Sequence, residues 1–203
     1  MLIISAAATP LPRPPEADPA LAEAVAVLES QVRLQKLDFW VRNPDYLADE
    51  LITEFERTSD PELLEQAHDI LHSDEPHVRR YPMTRFLFGA YEPLDDALAV
   101  LRSADLVVRR RHGSPGRVQR HDYYLTRTGR DTADRVLDQA PEFEYFVERT
   151  RFVARLFDGL RGTQLKDRQY QQDEYRDTVI GSTIDSIATR VYNRLRQYAA
   201  PAA

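Results

Sequence analysis

Arginine side chains are concentrated in one stretch of the chain, residues 102–130, where they could contact negatively charged groups. This stretch holds eight arginines against Asp105 and Asp122, a net charge of +6, whereas the whole 203-residue chain carries −6. Guanidinium groups bind phosphate oxygens through paired, charge-assisted hydrogen bonds. Because positive charge is concentrated in one segment of a chain whose net charge is negative, the pattern predicts a polyanion as the partner.

The elements that must position these arginines are two β-type runs, residues 106–111 and 117–126. They are joined by the turn His112-Gly-Ser-Pro-Gly116, whose glycines can adopt positive φ values. A helix over about 93–104 precedes the hairpin. Thr128, with Asp131 three residues later, predicts the cap of a following helix over about 128–139. We therefore expect a helix, a basic hairpin and a second helix in succession.

Capping residues and early prolines predict the helices before this segment. Asp18-Pro19 precedes Leu21, Val25, Leu28 and Val32, whose spacing predicts a long amphipathic helix that Asn43-Pro44 should end. A second helix is predicted over 46–57. Ser59-Asp60-Pro61-Glu62 predicts the start of a third, over about 61–72, and a short helix is expected over about 83–90.

Two more helices are predicted after Pro141. The first is aromatic-rich and amphipathic, with Phe143, Phe146, Val153 and Phe157 at helical spacing, which favours a core or a dimer seam. The second is expected to be capped at Ser182. Between them, residues 163–177 are polar and tyrosine-containing, and their pattern fits a helix, an ordered loop or a partner-binding strip equally well.

The run Tyr123-Tyr-Leu-Thr-Arg-Thr-Gly-Arg130, which follows Leu106-Val107 and a basic hairpin, resembles the corresponding segment of winged-helix regulators of the PadR and MarR type. The resemblance covers roughly residues 61–139. It implies a mainly α fold with a small β-hairpin, a winged helix-turn-helix module flanked by N- and C-terminal helices. It also implies a DNA-binding protein that dimerises through the flanking helices.

The resemblance assigns phosphate contact to five arginines of the hairpin: Arg109, Arg110, Arg111, Arg117 and Arg120. It assigns base contact to the exposed face of the 93–104 helix, where Arg102 and Ser103 are the candidates. The first turn of that helix departs from the pattern, since Glu92, Asp95 and Asp96 would face phosphate oxygens. Arg79, Arg80 and Arg85 could offset them. Contact with the DNA backbone, led by the hairpin, is therefore the expected mode.

The predicted domain organisation has four parts. Residues 1–17, which contain four prolines, are expected to form a disordered tail, and residues 18–60 a helical region. Residues 61–139 form the winged-helix domain. Residues 140–203 form a helical region for dimerisation or partner binding. Residues 1–78 carry a net charge of −11, so contact with a duplex must be confined to the basic segment.

Several classes of protein are excluded or disfavoured by composition. The absence of cysteine excludes disulfides and thiolate chemistry and fits the cytoplasm, while no apolar run is long enough to predict a membrane span. His68 and His72 have metal-ligand spacing, but Asp69 stands where a zinc protease needs glutamate, and no third ligand is evident. The segment 113–116 lacks the Walker pattern. No catalytic residue, cofactor or metal is expected.

Three functional hypotheses follow from the sequence. The first is a homodimeric transcriptional regulator that grips double-stranded DNA through the basic hairpin. The second is a non-enzymatic interaction or scaffold component of a larger protein assembly built on the same fold, which the acidic helix start and acidic N-terminal region favour. The third is an enzyme or metal protein that uses the His68/His72 pair.

Overall fold

The computed structural model describes residues 1–78, 80–86, 89–91, 94–114, 117–160 and 162–199. The fold is mainly helical with a small antiparallel sheet, as the sequence predicts. The chain forms two compact units: unit 1 comprises Met1–Asp38 and Glu92–Arg168, and unit 2 comprises Phe39–Tyr91 and Gln169–Ala203. Arg79, Glu92, Pro115 and Gly116 lie outside the described residues, as does position 93, where the predicted helix before the hairpin begins.

The regular elements follow one another along the chain. The helices are α1 (Leu2–Ala7), α2 (Gln31–Arg42), α3 (Pro44–Thr58), α4 (Pro61–His72), α5 (Glu75–Val78), α6 (Leu94–Ser103), α7 (Arg127–Gln139), α8 (Glu144–Leu156), α9 (Gly162–Gln171), α10 (Asp173–Asp177) and α11 (Ala188–Ala199). The strands are β1 (Thr9–Pro10), β2 (Ala24–Leu28), β3 (Thr84–Phe86), β4 (Gly89–Tyr91), β5 (Val107–Ser114) and β6 (Arg117–Thr126). No helix in the described ranges has the length and apolar character needed to cross a bilayer.

A four-stranded antiparallel sheet with the order β1-β2-β6-β5 organises unit 1. The prediction of a long helix from residue 18 is wrong here, because residues 24–28 form β2. Ala24, Ala26 and Leu28 are buried on alternate positions of that strand, and β1 and β6 pair with its two edges. A short apolar run fits a helix and an internal strand equally well, and the long-range partner β6 decides between them.

The N-terminal segment is ordered where the sequence predicts a disordered tail over residues 1–17. Residues 2–7 form α1, which packs against α8 and buries Ile4 to 2% exposure. Arg130 ties α1 down by donating hydrogen bonds of 3.1 Å to the backbone carbonyl and to the hydroxyl of Ser5. Thr9 then pairs with Val27 in the sheet. Apolar burial of this kind offsets the entropy cost of ordering a terminus.

In unit 2, the segment expected to form a short helix over 83–90 is a two-stranded ribbon, β3 with β4, so that prediction is wrong. Thr84 pairs with Tyr91, and an isolated bridge joins Thr84 to Thr183. Because residues around 183 are engaged with β3, the last helix begins at Ala188 rather than at the predicted Ser182. Asp45 of α3 accepts the backbone N–H of Ile187 at 2.9 Å and thereby holds the residue that precedes α11.

Predictions from caps and prolines hold for the end of α2 and for the whole of α4. α2 ends at Arg42 immediately before Asn43-Pro44, and α4 spans 61–72 as predicted. Its cap is Asp60, whose side chain accepts the N–H of Glu62 at 3.1 Å. Residues 163–177, which the sequence leaves open, fall mainly in the helices α9 and α10.

The predicted winged-helix segment 61–139 is divided between the two units. Its first helix, α4, lies in unit 2, where α4 packs against α3 and α11. The basic hairpin and the helices on either side of it, α6 and α7, lie in unit 1. The sheet that carries the hairpin therefore takes its other strands from residues 9–28, well before that segment.

Candidate nucleic-acid interface

The strands β5 and β6 form the basic hairpin and distribute its side chains over two faces. Arg109 pairs with Tyr123 and Arg111 with His121, whereas Arg110 pairs with Asp122. Successive side chains of a strand point to opposite faces, so Arg109 and Arg111 share one face and Arg110 lies on the other. The register shifts after His112, in the outer part of the hairpin. We call the side that carries Arg109 and Arg111 the open face.

Asp122 is the centre of the opposite face. Its carboxylate is 1% exposed and accepts the backbone N–H of Ser30 at 3.0 Å. Arg120 donates to the same carboxylate through Nε at 3.1 Å and lies 3.0 Å from it through a terminal nitrogen. His112 contacts it through Nε2 at 2.9 Å. A buried carboxylate is expensive unless it is paired, and these groups supply the pairing.

Arg110, on the same face as Asp122, is also neutralised within unit 1. Its guanidinium donates two hydrogen bonds to the carboxylate of Asp18, one of them at 2.9 Å from the terminal nitrogen. These hydrogen bonds lower the pKa of Asp18 and raise the pKa of Arg110. Arg120 gains a second carboxylate, Glu29, at 3.5 Å. Two of the five predicted phosphate-binding arginines of the hairpin are thus already paired with acids.

The open face has a different electrostatic character. Arg109 is half-buried and Arg111 is exposed, and in the described part of the chain neither forms an ion pair. Burial lowers the pKa of His121, and the positive charges of Arg109 and Arg111 lower it further, while the carboxylate of Asp95 opposes the shift. The ring of His121 is held by Gln31, whose side-chain oxygen lies 2.9 Å from Nδ1. Arg117, next to the turn, is exposed and likewise without an ion pair among the described residues.

Helix α6 brings one more arginine close to this face. Burial raises the pKa of Tyr123 to about 12; the nearby charge of Arg109 opposes that shift, Asp95 of α6 adds to it, and Arg102 of α6 opposes it. Arg102 is exposed and makes no ion pair with any described residue. The predicted base-reading residue Ser103 donates its hydroxyl proton to the carbonyl of Val100 at 2.8 Å, which leaves only its oxygen lone pairs for a ligand. Asp95 and Asp96 are exposed in the first turn of α6.

The Leu-Thr-x-x-Gly-Arg part of the motif fixes the base of the hairpin. Thr126, not the predicted Thr128, caps α7: its hydroxyl oxygen accepts the N–H of Gly129 at 2.9 Å and donates to the carbonyl of Asp105 at 2.7 Å. A Cβ on Gly129 would lie 2.1 Å from the carbonyl oxygen of Leu106. The motif therefore holds the start of α7 against the α6–β5 junction. The spacing of these residues in the sequence does not reveal this positioning role.

His68 and His72 form a stacked pair on α4, with ring centroids 3.9 Å apart. Nδ1 of His72 donates to the carbonyl of His68 at 2.9 Å, and Nε2 lies 3.3 Å from the hydroxyl of Tyr192. Both nitrogens of His72 are therefore engaged. No group of three or more metal-ligating side chains was found among the described residues.

Sequence reasoning identified the arginines from charge density but missed the groups that sort them. Asp18 pairs with Arg110, and the backbone N–H of Ser30 donates to Asp122, both on the face opposite the open face. In each case the two partners lie 92 positions apart in the sequence. One local signal was present: Asp122 is an acid inside an alternating, arginine-rich hairpin, in register with Arg110. A carboxylate at such a position favours neutralisation of the same-face cations.

Comparisons with known proteins give no match for this chain, whether against family models, curated proteins or solved structures. Its chemistry must accordingly be inferred from its own side chains. The open face, Arg117 and Arg102 together present guanidinium groups with free donors, which suits the binding of phosphate oxygens.

Proposed function

We propose that this protein binds double-stranded DNA through the basic hairpin, as a winged-helix transcriptional regulator. The observation that carries the proposal is the group of arginines without a carboxylate partner among the described residues: Arg102, Arg109, Arg111 and Arg117. The same chain pairs Arg110 and Arg120 with internal acids. Four guanidinium groups without an ion pair among the described residues lie around one hairpin, with Asp95 as a nearby carboxylate. In a chain of net charge −6 this favours a polyanionic partner.

The proposal narrows the set of phosphate-binding residues. A cation already paired with Asp18 or Asp122 must give up that partner before it can neutralise a phosphate, whereas Arg111 and Arg117 have no such partner to lose. Phosphate contacts position a protein on the duplex without reading sequence, and each one adds about 0.9 to the slope of log affinity against log salt. Affinity should therefore depend steeply on salt, with little discrimination between sequences from the hairpin itself.

Fluorescence anisotropy with labelled duplexes over a salt series tests the proposal. The double variant Arg111→Gln/Arg117→Gln should lower the salt slope by about 2. The matched control, Arg13→Gln/Arg135→Gln, removes the same charge from exposed positions of unit 1 outside the hairpin and should leave the slope nearly unchanged. Equal losses in both variants, or binding by the parent chain that does not respond to salt, would refute a role for the hairpin.

The proposal includes a homodimer in the cytoplasm. Two hairpins related by a two-fold axis would meet equivalent phosphates about one helical turn, roughly 34 Å, apart on the duplex. Light scattering of the free protein and of its complex with duplexes of increasing length gives the stoichiometry. A single chain bound per short duplex and a monomer in solution would contradict the dimeric arrangement.

The alternative, a non-enzymatic component of a larger protein assembly, is favoured by the exposed Asp95 and Asp96. They occupy the first turn of α6, the helix that would have to approach the major groove, and like charge opposes that approach. Absence of duplex binding at low salt, together with a stoichiometric protein partner in a pull-down, would select this alternative.

A further inference from the structure

A second group of arginines in unit 1 surrounds an open cavity and has no part in the proposed DNA contact. The cavity measures about 390 Å³, and its walls come from the end of α1, the start of β1, α2 and the last turns of α8. Arg33, Arg151 and Arg155 line it, with Asp158 as the acidic member of the lining. Small-molecule sites are concave spaces of roughly this size, about 300–1,000 Å³.

We propose that this cavity is a binding site for a small phosphorylated molecule. Three guanidinium groups against one carboxylate leave the lining with a surplus of positive charge. Arg33 and Arg155 form no ion pair in the described part of the chain, and Arg151 reaches Glu144 only at 3.8 Å. The donors of these groups are thus largely available to a ligand.

The arrangement of the arginines on α8 supports an anion as the missing partner. Arg151 and Arg155 are four residues apart, so they lie on the same side of the helix, and like charges at this spacing destabilise a helix. Arg33 brings a third positive charge from a different helix, α2. A multivalent anion between the two helices would relieve this repulsion.

Phosphate fits the site better than a single carboxylate does. One arginine fork satisfies the two oxygens of a carboxylate, whereas a phosphoryl group offers oxygens in several directions to donors that come from two helices. The remaining wall is built from small side chains, alanines 6–8 and Ala154, with the hydroxyl of Thr9 beside them. These alanines leave room for, and apolar contact with, the organic part of the ligand.

Isothermal titration calorimetry with pyrophosphate, inorganic phosphate and citrate tests this site. Saturable binding of pyrophosphate, tighter than that of citrate, is expected. Arg33→Gln/Arg155→Gln should weaken pyrophosphate binding at least tenfold, while Arg33→Lys/Arg155→Lys, which keeps the charge, retains part of it. No saturable binding, or citrate binding as tight as pyrophosphate, would overturn the proposal.

Two controls separate this site from the DNA-binding hairpin and from a folding defect. The single variant Arg135→Gln, on the exposed side of α7, should bind pyrophosphate as the parent does. Arg111→Gln/Arg117→Gln should likewise retain pyrophosphate binding, and Arg33→Gln/Arg155→Gln should retain duplex binding. If instead the cavity variant loses duplex affinity as severely as the hairpin variant, the cavity arginines contact the DNA backbone, and the proposal of a small-ligand site is rejected. Melting temperatures of all variants show which ones are folded.

Discussion

Asp122 is the residue that divides the arginines of the hairpin into two kinds. Its carboxylate is buried and is shared by the Ser30 amide, Arg120 and His112. A carboxylate held in this way engages the donors of its partners inside the protein, so those partners contribute to stability rather than to ligand binding. Arg109 and Arg111, one register position away on the other face, escape this neutralisation.

Substitution Asp122→Asn should lower the free energy of unfolding by about 2–3 kcal/mol, since it leaves Arg120 without its buried counter-charge and His112 without its carboxylate partner while keeping the shape. Urea denaturation followed by circular dichroism measures this. Asp134→Asn, on an exposed position of α7, is the control and should change stability by less than about 0.5 kcal/mol. A loss as small as that of the control would mean that the Asp122 cluster is not a stabilising element.

At the scale of elements, the junction of α6, β5 and α7 orients the hairpin. The chain turns at Asp105, which has a φ of 54°, and the Thr126 hydroxyl bonds to its carbonyl. The same hydroxyl caps α7 through Gly129. One side chain thus connects the end of the helix before the hairpin to the start of the helix after it.

Two threonines near this junction give a matched pair of variants. Thr126→Ala should destabilise the protein by about 1–2 kcal/mol, because it removes the cap of α7 and the hydrogen bond to Asp105. Thr128→Ala changes an exposed residue inside α7 and should be close to neutral. The measurement is again the urea unfolding curve. A larger effect for Thr128 than for Thr126 would place the cap where the sequence motif first suggests it.

The sequence predicted correctly those elements whose structure depends on residues close to them in the chain. Asn43-Pro44 predicted the end of α2, Asp60-Pro61 predicted the start of α4, and the glycine-containing turn predicted the hairpin. β2 was missed because its five residues become a strand through pairing with β6, about 100 positions later. The arginines of the site were found from charge density. Their division into paired and unpaired groups was missed, since it depends on Asp18, which is equally remote in sequence.

At the scale of the whole molecule, the units are assembled from separate stretches of chain. Unit 1 needs residues 1–38 as well as 92–168, and unit 2 needs 39–91 as well as 169–203. A fragment limited to 61–139, the segment that resembles a winged-helix domain, contains parts of both units and all of neither. It lacks β2, so one edge of β6 loses its partner, and it lacks α3 and α11, which pack on α4.

This fragment should therefore fail to fold on its own, although it contains the whole basic hairpin. Thermal unfolding followed by circular dichroism should show no cooperative transition, and its proton–nitrogen correlation spectrum should have narrow amide dispersion. The full chain serves as the reference for both measurements. A cooperative transition together with a dispersed spectrum would mean that residues 61–139 form an autonomous domain after all.

The position of β2 in the sheet also affects events on the ribosome. Translation proceeds at about 5–20 residues per second, and β6 lies about 100 residues after β2, so the segment Ala-Val-Ala-Val-Leu waits roughly 5–20 s before its central partner is synthesised. An uncharged apolar strand with an open edge is prone to pair with other chains during that time. Nascent copies on crowded polysomes are therefore exposed to aggregation at this segment, and a chaperone that shields it should raise the yield of folded protein.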